Sequence, residues 1–371
     1  MAKLLLPLTW TYRLGVALRY AAYRLGWLKP VTVDVPVISI GNLTTGGTGK
    51  TPIVIALAHY LEEQGYKLVI LSRGYAARQP QVYAQATDPR YGDEAFLIQQ
   101  HLTTGTVIVG KNRKKTIEWA VKDYQPDIVI VDDGFQNIGL TKTLDVLLID
   151  GSKGLGNGHL LPVGPLREPL AAVDRATHVI LTKNIHLDVA NKVNALLDRY
   201  ARKDKPVWEC PFQASHLFHP FSGRLLSFVE MDDTPYAILS GIAHPDTLES
   251  ESQKRLKGDM VTHLRFTDHH QYVKGDIEDI MLLLKNYHRC VVITTSKDWV
   301  KIKSLIIPEF LNRFFIFEMK PMFDWQRLLD DLMVARSAQL ADHQAAAAVA
   351  VSGEVQEPVG AASAQDGDES A

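Results

Sequence analysis

The segment Thr44-Thr45-Gly46-Gly47-Thr48-Gly49-Lys50-Thr51 gathers the residue types that a polyphosphate requires. Backbone N–H groups can cradle phosphate oxygens only where side chains leave room, and Gly46, Gly47 and Gly49 provide that room. Lys50 can reach the terminal phosphates, the Thr51 hydroxyl can ligand magnesium, and a helix opening here adds partial positive charge. Pro52 suits a first helical turn, which needs no N–H. The general phosphate-loop pattern begins with glycine where this chain has Thr44, so a plain flexible turn is the competing reading.

Carboxylates and arginines supply the remaining chemistry. The strand expected at 127–131, apolar from Ile128 to Val131, ends in Asp132-Asp133-Gly134-Phe135-Gln136. A carboxylate at the C-terminal end of a parallel strand lies at the sheet edge where the phosphate loop opens, and Asp132 is placed there as the magnesium-side group. Asp-Asp-Gly is also ordinary turn chemistry. Asp93 and Glu94 follow Gly92 at a predicted helix start, where acidic residues also serve simply to offset the helix dipole. Asp268-His269-His270 is by itself a weak signal for acid–base or metal work. Arg113 and Arg167 are candidates to neutralise a transferring phosphoryl group, with Arg167 set in the stiff Gly164-Pro165-Leu166-Arg167-Glu168-Pro169 segment.

These groups need a frame, and hydrophobic periodicity predicts one. An apolar β-branched run at 37–40 enters the loop, and a helix follows from Pro52 to about Gln64. Strands at 68–71, 107–109, 127–131, 146–149 and 179–181 alternate with helices at 93–101 and 112–124. This alternation predicts parallel pairing with crossover helices: an α/β, doubly wound P-loop NTPase sheet over 31–210. The Gly/Pro-rich stretch 153–169 is long enough to be functional. Short extended runs at 211–235 read as a linker or hairpin, and a second, smaller α/β domain follows over 236–336. Its strands are expected at 237–239, 290–294 and 313–317, and its helices at 245–255, 274–286 and 323–334. Residues 337–371 are Ala-rich, contain no Lys or Arg and read as a disordered tail.

Composition narrows the partners. The chain has 371 residues, enough for two domains, and its 40 basic and 42 acidic residues give a formal net charge of -2, which offers no general attraction to nucleic acid. Cys210 and Cys290 lack metal-ligand spacing and read as incidental reduced thiols. Residues 1–30 are basic and apolar together, with no acidic residue before Asp34. On a helical wheel Trp10, Leu14, Leu18, Ala21 and Leu25 share one face, while Tyr12, Arg13, Tyr20, Tyr23, Arg24 and Trp27 lie largely opposite. The arginines argue against a membrane-spanning helix, and an interfacial helix on an anionic membrane surface fits better than one packed wholly on its own protein.

With these residues in view, the chain closely resembles the tetraacyldisaccharide 4'-kinase family, the lipid A 4'-kinases of Gram-negative bacteria. The resemblance spans residues 35–334 and rests on Gly41-Asn42-Leu43-Thr44 running into the phosphate loop, Leu71-Ser72-Arg73-Gly74-Tyr75, Gly92-Asp93-Glu94 and Asp132-Asp133-Gly134-Phe135-Gln136. It continues through Leu160-Leu161-Pro162, Gly164 to Pro169, Phe266-Thr267-Asp268-His269 and Thr294-Thr295-Ser296-Lys297-Asp298. The family shares the threonine in place of the first loop glycine; Asn137 and His159 stand where many members have His and Arg. The resemblance implies transfer of the ATP γ-phosphate to the 4'-hydroxyl of a tetraacyldisaccharide 1-phosphate by a monomer at the cytoplasmic face of the inner membrane, with Mg2+ as cofactor. It implies Asp93 as the base that accepts the hydroxyl proton and His269 as its partner across a domain cleft. Thr44 to Thr51 and Arg113 would bind ATP, Lys50 and Arg167 would act on the phosphates, and Thr51, Glu94, Asp132, Asp133 and Glu168 would surround the metal. A P-loop NTPase acting as a conformational switch or metallochaperone is the alternative. GTP is disfavoured, because Thr182-Lys183-Asn184 is followed by Ile185 rather than the aspartate of a guanine reader.

Overall fold

The computed structural model describes residues 6–73, 81–83, 92–202, 205–268 and 270–353. Its first unit is an eight-stranded sheet of β1 (Val37–Asn42), β2 (Leu68–Ser72), β3 (Gln81–Tyr83), β4 (Thr106–Val109), β5 (Ile128–Asp132), β6 (Leu144–Asp150), β7 (His178–Thr182) and β8 (Val207–Cys210). The spatial order is β3-β4-β2-β5-β1-β6-β7-β8, and only the edge strand β3 runs antiparallel. The central strands are buried on both faces, which is why they read as unbroken apolar runs rather than alternating ones. Helices cover both sides. Ile53 and Leu57 of α2 (Lys50–Glu63) and Phe96 of α3 (Asp93–His101) pack on one face. Ile117 and Ala120 of α4 (Arg113–Tyr124) close the other, continued by Val189 and Val193 of α5 (Leu187–Tyr200).

Because β1 lies between β5 and β6, the loop leaving its C-terminal end is flanked by the ends of both neighbours. Ile40 is level with Asp132, so the acidic pair at the end of β5 emerges beside the phosphate loop. This is the crevice where open parallel sheets bind ligands.

The second unit is a six-stranded sheet in the order β10-β9-β14-β13-β11-β12, built from β9 (Phe212–His219), β10 (Arg224–Leu226), β11 (Tyr236–Ser240), β12 (Met260–Arg265), β13 (Val291–Thr294) and β14 (Phe314–Pro321). Four strands are parallel, and β9 and β10 form an antiparallel hairpin added to β14. The segment 211–235, read from sequence as a linker or hairpin, contains this hairpin and belongs to the second sheet. Helices α6 (Pro245–Arg255), α7 (Lys274–Asn286) and α8 (Ser296–Ile302) flank it.

Two expectations are corrected at the C-terminus. Helix α9 (Trp325–Gly353) continues beyond residue 336, where an irregular tail was expected. Alanine favours helix strongly, and Leu328, Leu329 and Leu332 anchor its first half. That anchorage lies in the core of the first sheet, not the second. The chain thus returns to the phosphate-loop unit after completing the second one. Residues 354–371, the end of the expected tail, lie outside the described residues.

Helix α1 (Leu6–Arg24) is oriented unlike a helix of a water-soluble core. Trp10, Leu14 and Leu18 are 66%, 59% and 61% exposed, whereas the tyrosine face is turned to the protein. No described helix is long and apolar enough to cross a membrane.

Candidate active site

The phosphate loop is held open by its own backbone and by neighbouring elements. Gly46 and Gly49 adopt φ of 107° and 85°, values that a side chain would strain. A Cβ on Gly49 would also meet the Phe212 ring at 2.7 Å, so the first residue of β9 packs directly on the loop. The Thr182 hydroxyl donates to the Thr48 carbonyl at 2.8 Å, and Lys183 Nζ donates to the Gly47 carbonyl. Both carbonyls are thereby engaged by side chains of β7 and the residue that follows it. Lys183 is fixed in turn by Asp150 at 2.6 Å. Burial works against the Asp150 carboxylate, but hydrogen bonds from His244, Lys183 and Ser152 and the Lys183 charge hold it below the ordinary range. The Thr182-Lys183-Asn184 segment therefore holds the loop without being a guanine motif.

The Gly/Pro-rich stretch lies along the other edge of the loop. Thr45 N–H donates to the Pro165 carbonyl at 2.7 Å and Arg167 N–H to the Leu43 carbonyl at 2.8 Å. This pairing brings the Arg167 guanidinium to Asp133, with Nη1 at 3.0 and 2.8 Å from the two carboxylate oxygens. Lys50 Nζ lies 3.5 Å from the same carboxylate and 3.2 Å from Asn42 Oδ1. Two cations from separate segments thus converge on one carboxylate at the helix start. Burial would raise Asp133, but Lys50 and Arg167 outweigh it and hold the group below its usual range.

Asp132 behaves differently. It is 2% exposed, and Oδ2 has the Ser72 hydroxyl at 3.3 Å while Oδ1 has no hydrogen-bond partner. Burial, reinforced by Glu94 and Asp133, pushes its carboxyl up to about 6. A buried acceptor left open among like charges is the environment a cation would relieve. Thr51, also buried, lies in the first turn of the adjacent helix. Among the described residues no three His, Cys, Asp or Glu side chains converge as a self-sufficient metal site. The arrangement fits magnesium that shares its ligands with phosphate and water.

Arg113 is placed behind Asp132, donating from Nη2 to the Asp132 carbonyl at 2.8 Å, and Nη1 is buried without a partner. Burial pushes this guanidinium down to about 10. Glu168 is drawn away from the acidic group: its Oε2 accepts from Arg175 at 2.7 Å and from Tyr20 at 2.6 Å.

The second unit reaches α3 through α8. Lys297 pairs with Glu94 at 2.7 Å, and Lys301, 9% exposed, lies 3.2 Å from Asp93. Burial would depress Lys297, but Glu94, Asp268 and Asp132 together raise it. Lys301 Nζ also donates to the His270 carbonyl at 3.4 Å, tying Asp93 to the backbone of the residue that follows His269. His269 itself lies outside the described residues. Sequence reading did not assign Lys297, Lys301, Ser72 or Lys183 to the site. Lys297, Ser72 and Lys183 lie within motifs visible in the sequence, Ser296-Lys297-Asp298, Leu71-Ser72-Arg73 and Thr182-Lys183-Asn184, whereas Lys301 carries no local signal.

A parallel sheet with a glycine-rich strand-to-helix turn, a lysine at the helix start and an acidic pair on the adjoining strand defines a P-loop nucleotide-binding protein. The more particular assignment comes from comparison: the profile of the family described as tetraacyldisaccharide-1-P 4'-kinase (LpxK) matches residues 1–336, and the chain belongs to that family. A tetraacyldisaccharide 4'-kinase from Halothermothrix orenii is 32% identical over 322 residues, covering 81% of this chain and 83% of its own. Another, from Syntrophobacter fumaroxidans, is 35% identical over 290 residues, covering 75% and 73% respectively. A crystal structure of "apo" form LpxK from Aquifex aeolicus in complex with ATP superposes with a TM-score of 0.70 over 90% of this chain and 99% of that one. At 24% identity it supports the shared fold.

Proposed function

We propose that the protein is an ATP-dependent kinase that phosphorylates the 4'-hydroxyl of a tetraacyldisaccharide 1-phosphate, a step in lipid A biosynthesis. The observation that carries this reading is the convergence of Lys50 and Arg167 on Asp133, beside the open Oδ1 of Asp132. That is a place for a polyphosphate with its metal. Asp132, Asp133 and Thr51 would hold magnesium, with Glu94 near enough to raise the Asp132 carboxyl. Held by these residues, magnesium would supply charge neutralisation for the nucleotide phosphates.

The protein's own residues account for the rest. Loop N–H groups and Lys50 receive the phosphates, and Lys50 and Arg167 stabilise the charge that spreads over the equatorial oxygens during transfer. Asp93 accepts the proton of the sugar hydroxyl as its oxygen bonds to phosphorus and the bond to the ADP oxygen breaks. His269, carried over from the family motif, would be its partner; support for this reading is that Lys301 pairs with Asp93 and donates to the carbonyl of the neighbouring His270. Both domains then contribute to the chemistry, and closure would limit loss of ATP to water. The exposed apolar face of α1, with basic residues around it, rests on the anionic cytoplasmic face of the inner membrane and presents the site to a lipid acceptor.

The test is mass spectrometry of a tetraacyldisaccharide 1-phosphate incubated with protein and Mg-ATP. Gain of one phosphoryl group on the sugar is expected. ATP consumption that is indifferent to added glycolipid, with no phosphorylated lipid, would replace the kinase with a switch-type NTPase.

A further inference from the structure

The face of α1 opposite its exposed apolar stripe is joined to the catalytic loop by side chains that phosphate binding does not explain. Tyr12 Oη donates to the Arg167 carbonyl at 2.7 Å, and Tyr20 Oη donates to Glu168 Oε2 at 2.6 Å. These contacts bridge 155 and 148 residues of sequence. Glu168 is 4% exposed, and its Oε2 also accepts from Arg175 Nη2 at 2.7 Å. The Arg175 guanidinium lies over the Tyr20 ring at 4.9 Å and the Phe135 ring at 4.5 Å, and it donates to the Phe135 carbonyl at 3.0 Å. Phe135 lies two residues beyond Asp133, the carboxylate that Arg167 grips. Both sides of the Arg167–Asp133 pair are therefore tied back to α1: Arg167 directly through Tyr12 and through its neighbour Glu168 by Tyr20, and Asp133 through Arg175 and Phe135.

We infer that Tyr12 and Tyr20 are positioning residues that set the Arg167 loop, so that seating α1 on a lipid surface and aiming Arg167 at the phosphates are one event. The physical basis is separation of faces. Trp10, Leu14 and Leu18 point outward and are free to enter an acyl boundary, while the tyrosines point inward at residues 167 and 168. A helix held on a surface by its outer face loses freedom to roll, and its inner hydroxyls then hold the loop in one place. Without that constraint the loop is held by its own turn, by backbone bonds to Leu43 and Thr45, and by the Arg167–Asp133 and Arg175–Glu168 pairs, none of which reports the seating of α1. Effective geometry within a fraction of an ångström is what electrostatic stabilisation of transfer demands.

The inference rests on the kinase reading for its rate predictions, so its test has an arm that does not. Tyr12→Phe, Tyr20→Phe and the double variant remove one hydroxyl each and keep the rings. In hydrogen–deuterium exchange, anionic vesicles should slow amide exchange at residues 164–168 in the wild type and should fail to do so in the double variant. In kinase assays on mixed micelles the double variant should lose about ten- to thirtyfold in kcat, from two hydrogen bonds, one to a buried carboxylate, with ATP affinity unchanged. In an Arg167→Gln background the same two changes should cost less than threefold, because the arginine they position is gone. Vesicle protection of 164–168 that survives in the double variant overturns the inference, as does a kcat loss of the same size with and without Arg167. If the wild type transfers no phosphate to lipid, the kinase reading fails and the exchange arm still decides whether Tyr12 and Tyr20 set the loop.

Discussion

Replacing Lys50 with methionine should separate catalysis from folding, and the structure sets both sizes. The ammonium makes one hydrogen bond, to Asn42 Oδ1 at 3.2 Å, and one ion pair, to Asp133 at 3.5 Å. Asp133 keeps two hydrogen bonds from Arg167; Asn42 keeps the bond its Nδ2 donates to the Thr44 carbonyl but loses the donor to its buried Oδ1, which is the main folding cost. Methionine preserves most of the apolar stem, so the folding cost should be about 1 kcal/mol, a shift in thermal midpoint of about 2–4 °C or less in a chain of this size. The rate should respond far more. Lys50 would be one preorganised cation facing charge that develops during transfer, and loss of one such donor costs about 10²–10³ in kcat, or about 3–4 kcal/mol. Initial rates at saturating ATP and acceptor, nucleotide affinity by fluorescence titration, and the unfolding midpoint would be measured on the same preparation. A kcat within tenfold of wild type would refute the role given to Lys50. A large kcat loss accompanied by a midpoint drop of about 10 °C would refute the claim that the effect is electrostatic rather than structural.

Three further outcomes follow from other parts of the molecule. Asp150→Asn should destabilise the protein by about 2 kcal/mol at neutral pH by weakening the buried pair with Lys183; because the folded carboxyl is held low, its stabilisation is present above about pH 4 and is lost as pH falls further, so urea unfolding of the two proteins should converge in acid. Gly41→Ala would put a Cβ 2.5 Å from Phe135 Cβ and 2.6 Å from its backbone nitrogen, forcing the Asp132 to Gln136 turn away from β1; a loss of about 1–3 kcal/mol in thermal unfolding, with slower transfer, is expected. Leu14→Ser with Leu18→Ser should leave the unfolding midpoint within a degree or so, since both side chains face outward, yet cut sedimentation with anionic vesicles by about tenfold or more.

The parts of the site that sequence makes legible are those written within a few residues of one another. The phosphate loop shows itself because glycine, lysine and threonine must follow a strand and open a helix, and Asp132-Asp133 shows itself because it ends an apolar run. Parallel strands buried on both faces give the strongest such runs, and the central frame is accordingly read correctly. Edge and hairpin strands give weaker ones: β9 alternates buried and exposed positions imperfectly across a bulge in its pairing with β14, and its segment reads as a linker or hairpin without showing which sheet it joins. The end of α9 is misjudged for a different reason. Low charge and many alanines look like a chain without a core, but Leu328 and Leu332 attach the helix to a core formed some 300 residues earlier, beyond the reach of any local pattern.

The same limit explains which catalytic features stay hidden. Asp93 and Glu94 at the start of α3 are, by themselves, ordinary dipole-compensating residues. What distinguishes them is that Lys301 and Lys297, on α8 of the other unit, approach them across the cleft. An exposed ion pair would contribute little and would need no explanation. Here Lys301 is 9% exposed and also bonds the His270 backbone, so its charge is spent where the two sheets meet, not at a solvated surface. A lysine buried at a junction costs desolvation that only a fixed carboxylate offsets, and that carboxylate is the one proposed to take the hydroxyl proton. Lys301→Met should therefore loosen the association of α8 with α3 and lower kcat together, while Lys301→Arg, which keeps the charge but not the geometry, should restore the association more than the rate. Amide exchange across residues 93–101 would report the first and phosphate transfer the second. Equal recovery of both by arginine would show that Lys301 holds the domains together without setting the position of Asp93.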